Sequence, residues 1–75
     1  MRYVVFGYTT KSGPKEFTSA IGYDLHDGEP IPSHSKVREK ALCFANKYGY
    51  QFEYFQINFI KFLNESDFKS FMEIN

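Results

Sequence analysis

Cysteine occurs once, at Cys43, so no disulfide can close within the chain and no thiolate set can hold zinc. A single thiol suits a reducing compartment. Tryptophan is missing, and arginine is limited to Arg2 and Arg38. With so few guanidinium groups, forked recognition of phosphate or guanine has little to draw on. Net charge is lacking as well, because nine basic and nine acidic residues cancel. Without surplus positive charge, counterion release cannot drive the chain onto a duplex backbone, and an acidic mimic of nucleic acid is equally unsupported. Long apolar runs are absent too. The opening MRYVVFGYTTKSG is too short and too alternating for a secretory leader, and nothing approaches about 18 apolar residues in a row. These absences predict a soluble, cytoplasmic protein with no membrane partner, no cofactor and no resident metal.

What the chain has in quantity is aromatic rings, nine Phe and six Tyr among 75 residues. That length accommodates one core, so residues 1–75 are expected to form a single small domain. Phe, Tyr, Met, Ile, Asn and Lys together outnumber Gly, Ala, Arg and Pro more than twofold. Such usage fits an AT-rich gene, as in many phages and mobile elements.

Residues 2–9 are β-branched and aromatic on both parities, which predicts a well-covered strand. Ser12-Gly13-Pro14 is a turn signal. In residues 17–23, Phe17, Ser19, Ile21 and Tyr23 alternate with Thr18, Ala20 and Gly22, predicting a second strand paired with the first. Gly7 and Gly22 then mark close backbone approach or bulges. Residues 24–34 hold Gly28, Pro30 and Pro32 and read as a loop. Ser33 or Ser35 can cap the helix that follows, where Val37, Ala41, Phe44, Ala45 and Tyr48 share one stripe. Gly49 sits where a left-handed residue ends a helix. Near the end, Asn64-Glu65-Ser66-Asp67 offers two N-caps for a short helix with Phe68, Phe71 and Met72 on one face. The expected architecture is α+β, in the order strand-strand-helix-strand-helix: an antiparallel sheet of about three strands with helices over one face.

The stretch YGYQFEYFQINFIKFL, residues 48–63, is the least regular, with seven aromatic residues in sixteen. Helical spacing aligns Phe52, Phe55, Phe59 and Phe62 but strands Tyr54 and Ile57, so propensity favours a strand over 50–63. Its apolar parity changes twice: Tyr50, Phe52 and Tyr54, then Phe55, Ile57 and Phe59, then Ile60 and Phe62. Two bulges would keep one apolar face throughout. Fully extended, fourteen residues would reach roughly 45 Å, so the strand must bend, break or project. Bending makes its rings core, the preferred reading, whereas projection exposes an aromatic edge to a partner.

Catalytic and metal constellations are thin. Asp24, His26 and Asp27, with His34 nearby, sit in a Pro/Gly loop that reads as solvated. Ser33-His34-Ser35 lacks an orienting carboxylate, and helix capping explains its serines better. Glu16, Glu29 and Glu53 are scattered. No catalytic residue is therefore assigned. Lys36, Lys40 and Lys47, with Cys43 between them, occupy the polar face of the helix. The expected function is a small non-enzymatic protein-binding module, a regulator or inhibitor from a phage or mobile element. It would contact an unidentified protein, or a second copy as a homodimer, through a strand edge carrying Tyr50, Tyr54 and Phe55. The alternative is single-stranded RNA or DNA binding by stacking on Tyr3, Tyr8 and Tyr23 with help from Lys36, Lys40 and Lys47, a reading that the neutral charge does not favour.

Overall fold

The computed structural model describes residues 1–74. Five elements follow one another: β1 (Arg2–Ser12), β2 (Lys15–Leu25), α1 (His34–Lys47), β3 (Tyr54–Leu63) and α2 (Glu65–Ile74). The strands make one antiparallel sheet in the order β2-β1-β3. The α+β class and the element order are thus as the sequence predicts.

β1 and β2 are longer than the alternation alone implied, because the turn between them is minimal. Ser12 pairs with Lys15, leaving only Gly13 and Pro14 as the loop. Gly13 has φ +59, and proline holds the next φ negative, the combination a type II′ turn requires. Register follows from this tight turn and runs unbroken from Ser12↔Lys15 to Arg2↔Leu25.

The alternating positions of β1 divide the molecule in two. Val4, Phe6 and Tyr8 point to one face, where Ile21 and Leu25 of β2, Val37 and Ala41 of α1, and Phe52 join them in the buried core. Val4 and Val37 are wholly inaccessible. Tyr3, Val5 and Gly7 point to the other face. There Phe68 of α2 packs against Tyr3, the rings tilted and their centroids 4.9 Å apart. Phe68 and Met72 also lie where a Cβ on Gly22 would fall, 2.7 and 2.9 Å from it. The two helices therefore cover opposite faces of the sheet, which corrects the expectation of both on one face. The cause lies in β1 itself: with apolar side chains on both parities, it needs cover on both sides.

Caps bound α1 at both ends and open α2. Ser33 is the N-cap of α1, and its Oγ accepts the Lys36 amide at 3.2 Å. At the other end Tyr50 N donates to Ala45 O and Gly49 N to Asn46 O, with Gly49 at φ +70. This is the Schellman pattern, which satisfies carbonyls the helix leaves open. For α2, Asn64 Oδ1 accepts the Asp67 amide at 2.7 Å.

That Schellman turn also decides how residues 50–63 fold. Residues 50–53 are still leaving the helix cap and are not strand; β3 begins at Tyr54. The first parity change is not a bulge: the strand starts only at Tyr54, so Phe52 and Tyr54 take different faces and Phe52 drops into the core at 6% exposure. The second change is a bulge, but it falls before Phe59 and not after it, so Phe59 leaves the face shared by Phe55, Ile57, Ile60 and Phe62 and the apolar face is not continuous. Tyr8 faces Ile57 and Gly7 faces Phe59, so Asn58 is the extra residue. Its side-chain amide donates to Thr9 Oγ1 at 2.8 Å, which turns the inserted residue back over the sheet.

Candidate functional site

The outer edge of β3 is an open apolar feature, with Phe59, Ile60 and Phe62 each about half exposed. β3 pairs with β1 on one side only, so its other side presents unpaired amides and carbonyls. Because of the bulge, Phe55, Ile57, Ile60 and Phe62 share the α1 face of the sheet, across from Thr10, Tyr8, Phe6 and Val4. Tyr54, Gln56, Phe59, Lys61 and Leu63 share the α2 face. α1 lies toward β2: Lys40 Nζ is 4.3 Å from the Tyr23 ring centroid and 3.5 Å from Gly22 O. Toward β3, His34 at the start of α1 meets the Phe55 ring edge-on at 5.3 Å. Phe55 and Ile57 pack against the core, whereas Phe59, Ile60 and Phe62 remain 51%, 49% and 51% exposed.

Phe59 is held in place by a missing side chain. Its ring lies over Gly7, where a Cβ would fall 2.1 Å from Cε2. Only glycine permits this approach, so the ring leans inward across β1 and away from the edge.

The two sheet edges differ in protection. β2 carries Lys15, Glu16 and Asp24 and is approached by Lys40. β3 carries one charge, Lys61, among ten residues. Charged, covered edges resist pairing with another chain, whereas open, apolar ones invite it.

Tyr54, Tyr50 and Phe55, singled out in the sequence as partner-binding residues, fall in three environments. Tyr54 is on the exposed α2 face, with Lys11 Nζ 4.9 Å from its ring centroid and its hydroxyl donating to Gln56. Tyr50 lies outside the strand, edge-on to Phe17 at 4.7 Å and with its hydroxyl 3.3 Å from that of Thr10. Phe55 packs on Tyr8, Phe52 and His34. Sequence reasoning missed Ile60 and Phe62 as exposed edge residues. The order Phe55, Ile57, Ile60, Phe62, symmetric about Asn58-Phe59, was the available signal.

The candidate stacking residues do not share a surface. Tyr3 lies under Phe68 on the α2 face, Tyr8 is 7% exposed within the core, and Tyr23 lies under Lys40. Lys36 is exposed, while Lys47 lies over Phe44 at 5.6 Å. Cys43 is an exposed thiol. Ser33 Oγ is engaged by the Lys36 amide, and the His26 amide is tied to Glu29 Oε1 at 2.8 Å. Among the described residues no three of His, Cys, Asp and Glu converge as a metal site would require, and no helix is long and apolar enough to cross a membrane. A cavity of about 470 Å³ opens between the hairpin end and the last turns of α1, lined by Phe17, Phe44, Tyr48, Tyr50 and Phe52 with Lys15 beside them.

Burial leaves one hydroxyl without a partner. Tyr23 Oη is inaccessible and forms no hydrogen bond among the described residues, and desolvation raises its pKa above the ordinary value of 10.0. The folded state thus disfavours the phenolate, so the raised pKa costs nothing at neutral pH and lowers stability as pH rises through and beyond about 10. Tyr23→Phe is expected to raise stability by about 1 kcal/mol at pH 7 and to flatten the alkaline decline. Urea midpoints at pH 7 and pH 10.5 check both; an unchanged alkaline slope would count against the buried phenol as its source.

No protein family, curated protein or solved structure matches the chain.

Proposed function

We propose that the chain is a small non-enzymatic protein-binding module whose docking element is the free edge of β3. The observation that carries this reading is that edge: ten residues with a single charge, and with Phe59, Ile60 and Phe62 each about half exposed. A strand added there would gain main-chain hydrogen bonds, and the flanking apolar side chains would select the partner. The small size and AT-rich residue usage fit a regulator or inhibitor from a phage or mobile element. Single-stranded nucleic acid has less support, since Tyr3, Tyr8 and Tyr23 offer no common platform and net charge is zero.

The test is capture on the immobilised chain from native lysate, with wild type and Ile60→Lys compared, before and after nuclease. Ile60 is half exposed, so lysine there should charge the edge without unfolding the protein. The expected result is a protein held after nuclease and released by Ile60→Lys. Capture indifferent to Ile60→Lys would remove the edge from the mechanism. Retention that ends with nuclease or falls steeply with salt would favour nucleic acid instead.

A further inference from the structure

Resting on that reading, we infer that the strand received by β3 is β3 of a second copy of this chain, in an antiparallel pairing that continues the sheet across a twofold axis at Phe59. The argument begins with the bulge. With Asn58 set aside as the extra residue, β3 has nine paired positions with Phe59 at their centre. On the α1 face the order is Phe55, Ile57, Ile60, Phe62, which reads alike in both directions. Without the bulge, Phe55 and Ile57 would lie on the opposite face from Ile60 and Phe62, and the symmetry would vanish.

A twofold interface places the same patch against itself, so it needs a self-complementary surface. Pairing about Phe59 supplies one. Phe55 falls beside the partner's Phe62, and Ile57 beside the partner's Ile60, giving one apolar stripe over both copies. On the α2 face Tyr54 meets the partner's Leu63, and Gln56 meets the partner's Lys61, so the only charge on the edge faces a neutral hydrogen-bonding group. Phe59 meets its own copy, and because each ring leans inward over Gly7, the two backbones have room to approach. The register is specific. Centring on Lys61 would set two ammonium groups face to face. Centring on Ile60 would leave Tyr54 and Phe55 without partners.

Size fits a reversible dimer. The edge is about 30 Å long, and one added strand with its side chains lies near the lower end of specific interfaces, about 1,200 Å² in total. Self-association of about micromolar affinity is expected.

The experiment is sedimentation equilibrium of the full chain from about 1 µM to 1 mM, for wild type, Ile60→Lys and Tyr48→Lys. Tyr48 is an exposed ring outside β3, at the C-terminal cap of α1, and 85% accessible. Wild type and Tyr48→Lys should dimerise alike, and Ile60→Lys should weaken association at least about 100-fold. Register is read by oxidation in a Cys43→Ser background, with far-UV circular dichroism confirming the fold. At the axis the paired Cα atoms stand about 4.5–5.5 Å apart, within disulfide range. Phe59→Cys should therefore cross-link, and Lys61→Cys, whose copies lie roughly 13 Å apart, should not. A dimer that survives Ile60→Lys, or that cross-links through Lys61→Cys instead, overturns the inference. So does a chain still monomeric at about 1 mM. In that case the lysate comparison separates the two ideas: a captured protein released by Ile60→Lys keeps the docking edge with a different occupant, and capture indifferent to the variant removes both.

Discussion

Phe6→Ala is expected to destabilise the protein by about 3–5 kcal/mol, the largest loss available from one side chain. Phe6 is 1% exposed at the middle of the central strand. It faces Ile21 on β2 and Ile60 on β3, and meets the Tyr23 ring edge-on at 5.6 Å. Truncation removes the transfer free energy of the ring and leaves a cavity between two hydrogen-bonded neighbours that cannot close over it. A chain of 75 residues has only about 4–11 kcal/mol in total, so a large fraction of Phe6→Ala should be unfolded at 37 °C. Phe6→Leu, which keeps most of the volume, should lose about 1–2 kcal/mol. Urea denaturation of both variants decides the matter. Equal, small losses would mean that the core lies elsewhere than between β1 and α1.

Much of this architecture was legible because local signals and tertiary needs agreed. The hairpin was readable from Gly13-Pro14, whose backbone preferences match the tight turn. The first helix could be bounded by Ser33 and Gly49, which occupy the cap positions that their chemistry favours. Gly7 and Gly22 were readable as close-approach sites, though not what approaches them: Phe59 and Phe68 come from elements 52 and 46 residues away in sequence. The face taken by α2 is not legible in the helices themselves; it follows from β1, whose Val5 is as buried at 3% as the core-facing residues and needs cover of its own. For the edge, composition indicated an aromatic strand but not which rings stay open. That depends on where α1 crosses the sheet, and Lys40 on Tyr23 fixes it toward β2. Two residues of one pattern, Phe55 and Phe62, thereby meet different fates.

The same distinction gives the second large effect, at residues only two apart. Phe52→Ala is expected to cost about 3 kcal/mol, whereas Tyr54→Ala should change stability by less than about 1 kcal/mol. Phe52 precedes β3, yet it is 6% exposed, stacked 6.0 Å from Phe55 and flanked by the Arg38 guanidinium at 5.5 Å. It therefore plugs the core where the chain passes from the α1 cap into the sheet. Tyr54 is 41% exposed and faces the opposite side, beside Lys11 and Gln56. Simple strand alternation over 50–54 would put both rings on one face and make their losses alike. Tyr50→Ala should fall between them, because its ring packs against Phe17 and its hydroxyl meets that of Thr10. Tyr50 is therefore unsuited to probing the surface, while Tyr54→Ala leaves the fold intact and reports on binding alone. Equal urea midpoints for Phe52→Ala and Tyr54→Ala would show that residues 50–53 belong to the strand after all. A gap of about 2 kcal/mol or more would place the change of face at the helix cap, where Gly49 and the Ala45 carbonyl turn the chain.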